Sequence, residues 1–330
     1  MTERIKNTLS FIGRFALSAG LLAWVFSFIN WRDTIAVLRN ADVGLLLGAA
    51  FLHFLIQVAI LLRWYLFMRA LNLDAPIGLT CRYFFIGLFC NLFLPTSIGG
   101  DLVKAIGLSR GVGQKPKVFA SVVLDRLSGF AGLVIVAALA YAAGSSLIDA
   151  PSVLIPVVAL TVLSFVVGGM LFNQGIYHFF GRFVARFPKL QQGILEMHQD
   201  VMLMRGKKRT GFSCIAFSCL IQVLGAGMFF LIARALHQDV PLLPFLIFSP
   251  LVSAATFLPS IGGLGVREIG WVYLLAKIGV GQGTALGLSL ISFFFVIVTG
   301  LIGGVIYVTT VPGRRVQCDV PPAPAWTGRG

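Results

Sequence analysis

A chain of 330 residues that is 58% hydrophobic and 12% charged, with a mean hydropathy of +0.92, carries more apolar surface than a soluble core can hide. The bilayer is its solvent. The formal charge of +14 points away from nucleic acid, because the 26 Lys and Arg fall mostly in short loops between apolar runs, where the cytoplasmic face of a membrane protein collects them. Cys81, Cys90, Cys214, Cys219 and Cys318 form no CxxC, and four of the five stand in apolar surroundings, so neither a disulfide framework nor a metal site is expected. The chain has no GxxxxGK[ST] phosphate loop and no HExxH zinc motif. ATP hydrolysis and zinc chemistry have no visible apparatus, and no cofactor is expected.

In chain order, the first apolar run long enough to span, at about 20 residues, is 11–29. It follows Arg4, Lys6 and Arg14 as a signal peptide would, yet it ends in Asn30-Trp31-Arg32 with no small-residue cleavage site and reads as a retained helix. A second span covers 43–67, with His53 expected as a hydrogen-bonded interior histidine rather than a proton relay. Run 78–112 is cut at its centre by Phe93-Leu-Pro-Thr-Ser-Ile-Gly-Gly-Asp-Leu-Val-Lys-Ala-Ile-Gly107. Pro followed by Gly-Gly breaks a helix, and in hydrocarbon the freed backbone groups must be met by protein or by a water-filled cavity. This run therefore reads as a re-entrant pair of half-helices. Spans 117–143 and 152–173 follow.

Between 174 and 210 the chain turns polar and basic. Ile176, Phe179, Phe183 and Phe187 share one helical face beside Arg182, Arg186 and Lys189, the pattern of a helix lying in the cytoplasmic interface and linking two halves. Span 211–236 leads to a second broken run, 243–280, whose centre Phe257-Leu-Pro-Ser-Ile-Gly-Gly-Leu-Gly-Val-Arg-Glu-Ile-Gly270 repeats the first motif once Thr96 is skipped, with Arg267 opposite Lys104. Span 283–309 closes the membrane region. The tail from 311 to 330 is rich in Pro and Gly and is expected to be disordered.

The expected architecture is all-α and polytopic, with six full spans and two re-entrant hairpins. Lys104, Arg110, Lys115, Lys117, the basic linker and Arg314-Arg315 fall on one side, whereas 144–152 and 278–283 carry no Lys or Arg. Both termini are then cytoplasmic, and repeat halves 43–143 and 211–309 are inverted relative to each other. Inverted repeats with broken helices at matching places mark a transporter's substrate site and allow alternating access around it.

The candidate substrate-binding residues follow from the two breaks and from charge inside the spans. Ser97, Gly99 and Gly100, with Ser260, Gly262 and Gly263, open half-helices whose N-termini attract anions. Asp101 sits where an N-cap or an ion pair is expected, and Lys104 and Arg267 lie within a turn of the breaks, where a cation needs a carboxylate or an anionic ligand beside it. Close packing and snorkelling are the alternative. Asp125 and Arg126 lie well inside a span, where charges are rare and face an interior or a cavity. Neighbours on a helix diverge, so Asp125 is expected to meet Lys104 or Arg267, and Arg126 to meet Asp101 or Glu268. Arg14, Arg63, Arg69, Arg82 and Arg234 are close enough to span ends for snorkelling to be expected.

The motifs around Phe93–Gly107, Leu124–Phe130 and Phe257–Gly270 resemble those of the transmembrane region of the lysylphosphatidylglycerol synthase and flippase-like family, which includes the membrane domain of the multiple peptide resistance factor. The resemblance covers residues 10–310. It implies movement of a lipid between leaflets of the bacterial inner membrane, with Asp101, Arg126, Arg267 and Glu268 at the family's charged positions. Because a short Pro-rich tail stands where bifunctional members carry a soluble aminoacyl-transfer domain, lipid aminoacylation is not expected.

The reading is thus a translocase for a phosphate-bearing, anionic phospholipid or other lipid-linked substrate, without nucleic acid. A carrier of polyprenyl-phosphate or lipid-linked envelope intermediates, and a membrane enzyme using Asp101, Asp125 or Glu268 as base, remain the alternatives. A separate lipid-modifying enzyme is a candidate partner, and oligomerisation is left open.

Overall fold

The structure is a computed structural model that describes residues 39–92, 94, 99–144, 158–159, 162, 207–256 and 263–310. The spans expected at 11–29 and 152–173, nearly all of the linker, and the tail lie outside the described residues, apart from positions 158–159 and 162 and the start of one helix. The regular elements among the described residues are eight helices: α1 (Val43–Ala70), α2 (Ile77–Asn91), α3 (Gly99–Val112), α4 (Lys115–Gly144), α5 (Lys208–Ala235), α6 (Leu242–Ala255), α7 (Val266–Ala276) and α8 (Gln282–Thr310). Four of them, α1, α4, α5 and α8, are long and apolar enough to cross a membrane. They fall at four of the expected spans. Both broken runs are pairs of short helices, and the members of each pair, α2 with α3 and α6 with α7, pack on one another.

Local chemistry sets the boundaries. Asp42 caps α1 by accepting from the N–H groups of Gly44 (2.8 Å) and Leu45 (3.2 Å). At its other end Asn72 takes a left-handed conformation (φ 55°), one of the few non-Gly residues that does so at low cost. The end of α5 is built alike, with His237 at φ 58°. These two ends expose a second repeat: Arg69-Ala-Leu-Asn-Leu-Asp-Ala-Pro76 recurs as Arg234-Ala-Leu-His-Gln-Asp-Val-Pro241. In each, the Arg pairs with the Asp five residues on, Arg69 with Asp74 and Arg234 with Asp239. A third repeat, Gly111-Val-Gly-Gln114 and Gly279-Val-Gly-Gln282, sits where α3 turns into α4 and α7 into α8.

Packing follows the duplication. Exchanging the two halves turns the α2–α8 contact into the α6–α4 contact, and the α3–α4 contact into α7–α8. The equivalent helices α1 and α5 lie side by side and run antiparallel. The Asp42 N–H reaches the Ala235 carbonyl at the end of α5 (2.9 Å), and Lys207 Nζ, at the start of α5, reaches the Ala70 carbonyl at the end of α1 (2.5 Å). Each half has its own packed centre, around Trp64, Met68 and Leu108 in the first and around Trp271, Phe245 and Phe248 in the second. Outward-facing Leu47, Phe51, Leu139, Phe212, Phe294 and Val308 are apolar as well, as helices bathed in lipid require.

Glycines let helices touch backbone to backbone. A Cβ on Gly303 of α8 would collide with the carbonyl of Phe85 on α2, and one on Gly132 of α4 would strike Ser218 of α5. Gly100 of α3 and Gly87 of α2 meet the same way, which seats the second half-helix on the first.

Candidate functional site

Two cavities among the described residues are lined by charged side chains. The first, about 290 Å³, is lined by Arg63, Asp101, Lys104, Asp125 and Arg126, together with Gln57 and Asn91. The second, about 240 Å³, is lined by Arg267, Gly263 and Trp271. Asn91, Ser253 and Thr256 line both. Lys104 lines the first of these adjoining cavities and Arg267 the second.

In the first cavity Asp101 is the hub. It stands in the first turn of α3, inside the helix and not at its N-cap. Its Oδ1 accepts from Lys104 Nζ at 2.9 Å and its Oδ2 from Arg126 Nε. Arg126 thus takes one of the two partners expected of it. Lys104 is 5% exposed and is held over the Trp64 ring, 4.7 Å from its centroid, an arrangement that stabilises a desolvated ammonium by about 2 kcal/mol. Trp64 is in turn fixed by its Nε1–H donating to Ser121 Oγ at 3.1 Å. Arg126 keeps 34% of its side chain exposed.

Asp125 corrects the sequence reading. It pairs with neither Lys104 nor Arg267 but with Arg63 of α1, whose Nε donates to Oδ1 at 2.8 Å and whose Nη1 donates to Ser218 Oγ of α5 at 2.9 Å. Arg63 is 6% exposed and Asp125 2%, so Arg63 does not snorkel. The reason is geometric. Successive residues on α4 point about 100° apart, so Arg126 meets α3 while Asp125 meets α1 and α5. Sequence reasoning missed Arg63 because α1 continues through Ala70, which moves Arg63 about two turns in from the helix end.

Arg267, which lines the second cavity, has its carboxylate partner next to it in the chain. Arg267 Nε lies 3.1 Å from Glu268 Oε1 and Nη2 donates to the same oxygen, while Ser289 Oγ lies 3.1 Å from both Arg267 Nε and Glu268 Oε1. Glu268 is wholly buried, and its Oε2 accepts the Gly265 N–H at 2.7 Å. The second Gly-Gly does not open a helix as expected. Gly263 (φ 79°) and Gly265 (φ 87°) form a left-handed turn, and α7 begins at Val266. Gly99 and Gly100 do open α3, but the Gly100 N–H is taken by Asn91 Oδ1 at 2.8 Å. Ser97, Ser260 and Gly262 lie outside the described residues.

Among the described residues, the buried carboxylates Asp101, Asp125 and Glu268 are each engaged by a cation. Gly107-Leu-Ser109-Arg-Gly111 matches the spacing of a hydrolase nucleophile elbow, but it lies within α3 and not at a strand-to-helix turn. The Ser109 hydroxyl donates to the Ile106 carbonyl at 2.9 Å. His53 behaves as expected, buried with Nε2 at 3.3 Å from Thr299 Oγ1 of α8 and at 3.3 Å from Gln57 Nε2. Gln57 Oε1 and Trp271 Nε1 are buried with no hydrogen-bond partner among the described residues.

Among the described lining residues of the first cavity, three cations face two carboxylates. An intramembrane cation costs about 2.5–3.5 kcal/mol on insertion scales, so a cluster of three around one hollow favours an anion there.

The family model for the transmembrane region of lysylphosphatidylglycerol synthase matches residues 11–304. The chain is also 23% identical, over 83% of its own length and 89% of the relative's, to a UPF0104 membrane protein of Pyrococcus horikoshii.

Proposed function

From the premise that this chain belongs to the family of lysylphosphatidylglycerol synthase transmembrane regions and is a multi-pass membrane protein, we propose that it moves a phosphate-bearing, anionic lipid between the leaflets of the bacterial inner membrane. The observation that carries this reading is the first cavity, where Arg63, Lys104 and Arg126 outnumber Asp101 and Asp125 inside a lipid-facing bundle. A volume of about 290 Å³ is at the floor of the 300–1,000 Å³ that holds a whole drug-sized molecule, so it suits a headgroup whose acyl chains stay in the bilayer. Gln57, which lines the same cavity, has its Oε1 buried without a partner among the described residues, an acceptor suited to a headgroup hydroxyl or ammonium.

Movement comes from the duplication. The antiparallel pairing of α1 with α5, the exchangeable contacts of the short helices and the positive-inside bias support an inverted repeat, in which α2–α3 and α6–α7 are re-entrant from opposite faces and both termini are cytoplasmic. Two conformations, one open to each leaflet, then exchange at similar energy. Moving one negative charge outward across an inside-negative membrane is favourable by about 2.3 kcal/mol per 100 mV, so export of an anionic lipid needs no nucleotide.

The test is reconstitution into vesicles containing phosphatidylglycerol labelled on its headgroup, with a quencher that cannot cross the membrane. Protein-dependent loss of inner-leaflet label without chemical change supports translocation. Label that stays as protected as in protein-free vesicles refutes it, and a headgroup altered in mass assigns an enzyme instead.

A further inference from the structure

A lipid held by its headgroup trails its acyl chains, so the cavity that takes the headgroup must open sideways between two helices. The duplication shows where. Leu55-Ile-Gln-Val58 of α1 recurs as Leu220-Ile-Gln-Val223 of α5, in the register that aligns Arg69 with Arg234, so His53 corresponds to Ser218. Aligning Gly111 with Gly279 likewise makes Gly132 of α4 correspond to Gly300 of α8. The α4–α5 seam and the α1–α8 seam are therefore equivalent, yet the structure builds them differently. α4 and α5 pack along each other, and a Cβ on Gly132 would stand 2.5 Å from Ser218 Cβ. Among the described residues, α1 and α8 do not pack along their length. They meet where His53 Nε2 lies 3.3 Å from Thr299 Oγ1, and Gly300 faces the Leu92 side chain, just past α2, instead of α1. The polar links differ in the same way. Ser218 accepts from Arg63, which is paired with Asp125, whereas the positions equivalent to Arg63 and Asp125 are Met228 and Phe293, which cannot form an ion pair.

We propose that the α1–α8 seam is a lateral portal that admits the acyl chains of the lipid while its headgroup occupies the first cavity, and that the α4–α5 seam is the closed counterpart of this portal. The proposal rests on the translocase reading and names the part that opens. The route is continuous, because Gln57 stands one turn from His53 on α1, with its Nε2 3.3 Å from His53 Nε2, and lines the first cavity. The α1–α8 seam is the easier of the two to part, since the hydrogen bond that spans it joins an imidazole to a hydroxyl. Parting α4 from α5 breaks a bond from a guanidinium and separates two closely packed backbones. In the opposite conformation the seams exchange: α8 turns Gly300 onto α1, and α4 leaves α5. The α1–α5 pair, tied at both ends by Asp42 to Ala235 and Lys207 to Ala70, is the fixed axis of that exchange.

The test uses the full-length chain, cleared of native cysteines, in vesicles containing headgroup-labelled phosphatidylglycerol. Two cysteine pairs are bridged with a short bifunctional methanethiosulfonate reagent and released with a reductant. His53→Cys with Thr299→Cys spans the α1–α8 seam, and Leu52→Cys with Gly227→Cys spans the α1–α5 axis, where a Cβ on Gly227 stands 3.4 Å from Leu52 Cδ1. The expected result is that bridging α1 to α8 reduces leaflet exchange to the protein-free rate, that the reductant restores it, and that bridging α1 to α5 leaves it at the unbridged rate. Exchange that continues with the α1–α8 bridge complete overturns the portal, and so does equal loss with both bridges, which assigns the block to general stiffening. A second measurement is independent of the bridged pair. Nitroxides on Phe54→Cys and Phe294→Cys, both exposed in the parent, report the α1–α8 separation in phosphatidylcholine nanodiscs with and without phosphatidylglycerol. The expected result is a shift in the distance distribution on adding phosphatidylglycerol; a single distance that does not respond overturns the portal. If the unbridged, cysteine-cleared protein exchanges no phosphatidylglycerol at all, the translocase reading falls and takes the portal with it.

Discussion

Replacing Arg63 by Leu separates the two readings of that residue. If Arg63 snorkelled at a helix end, Arg63→Leu would change stability by no more than about 0.5 kcal/mol. In the structure its guanidinium joins three helices, donating from α1 to Asp125 of α4 at 2.8 Å and to Ser218 of α5 at 2.9 Å, with 7% of its side chain and 3% of that of Asp125 exposed. Its loss leaves the Asp125 carboxylate buried without this cation, a change that costs about 3–5 kcal/mol when one partner of a buried pair is removed. Asp125→Leu should cost a similar amount for the mirror reason. The double variant Arg63→Leu/Asp125→Leu removes both charges and fills the space with apolar side chains, a replacement that is often neutral or stabilising. Its cost should therefore fall below that of either single change, which implies a coupling energy of about 3 kcal/mol or more. The assay is unfolding in mixed micelles at increasing SDS, followed by circular dichroism, for the parent, both singles and the double. Single variants within about 0.5 kcal/mol of the parent, or a double whose cost is the sum of the singles, would refute the buried-pair argument.

Two further outcomes follow from the same structure. Gly303→Ala should destabilise by about 1–3 kcal/mol or more, because the added methyl meets the Phe85 backbone of α2, whereas Gly281→Ala, with open space around it, should be nearly neutral; equal effects in the SDS titration would contradict the close α2–α8 contact. In a background cleared of native cysteines, Gly111→Cys should react with an impermeant maleimide from the cytoplasmic side and Gly281→Cys from the periplasmic side, and labelling of both from one side would sink the inverted arrangement.

How much of this was legible in the sequence depends on what a linear pattern encodes. Runs of apolar residues report depth, so the four described spans were found within a few residues of their ends. The repeated Pro and Gly-Gly reported a break, and each broken run is a pair of short helices. Rotation about a helix axis is poorly encoded when every face is apolar, and this is why Arg63 was misread and Asp125 was given the wrong partners. Arg126 was expected to meet Asp101 or Glu268 and meets Asp101; the choice was narrow because few charges sit at breaks or deep in a span. The start of α7 was misplaced because Gly265, Val266 and Glu268 build a better cap than the Gly-Gly motif itself, with the Glu268 side chain taking the Gly265 N–H. The repeats at Arg69–Pro76 and Arg234–Pro241 were readable from the start. They lie in polar loop ends, outside the apolar runs that define spans.

The claim at the centre of this account is that the cations around the first cavity carry the lipid phosphate. The most direct measurement is leaflet exchange of headgroup-labelled phosphatidylglycerol in vesicles, compared for the parent, Lys104→Ala and Arg126→Leu after each is shown to be folded and inserted. Lys104 and Arg126 both hold Asp101, so either single change leaves that carboxylate one cation, and stability should suffer less than in Arg63→Leu. The account predicts that exchange falls by about tenfold or more in both variants, the loss of one charge-assisted contact to the phosphate. Parental rates of exchange in both would contradict it.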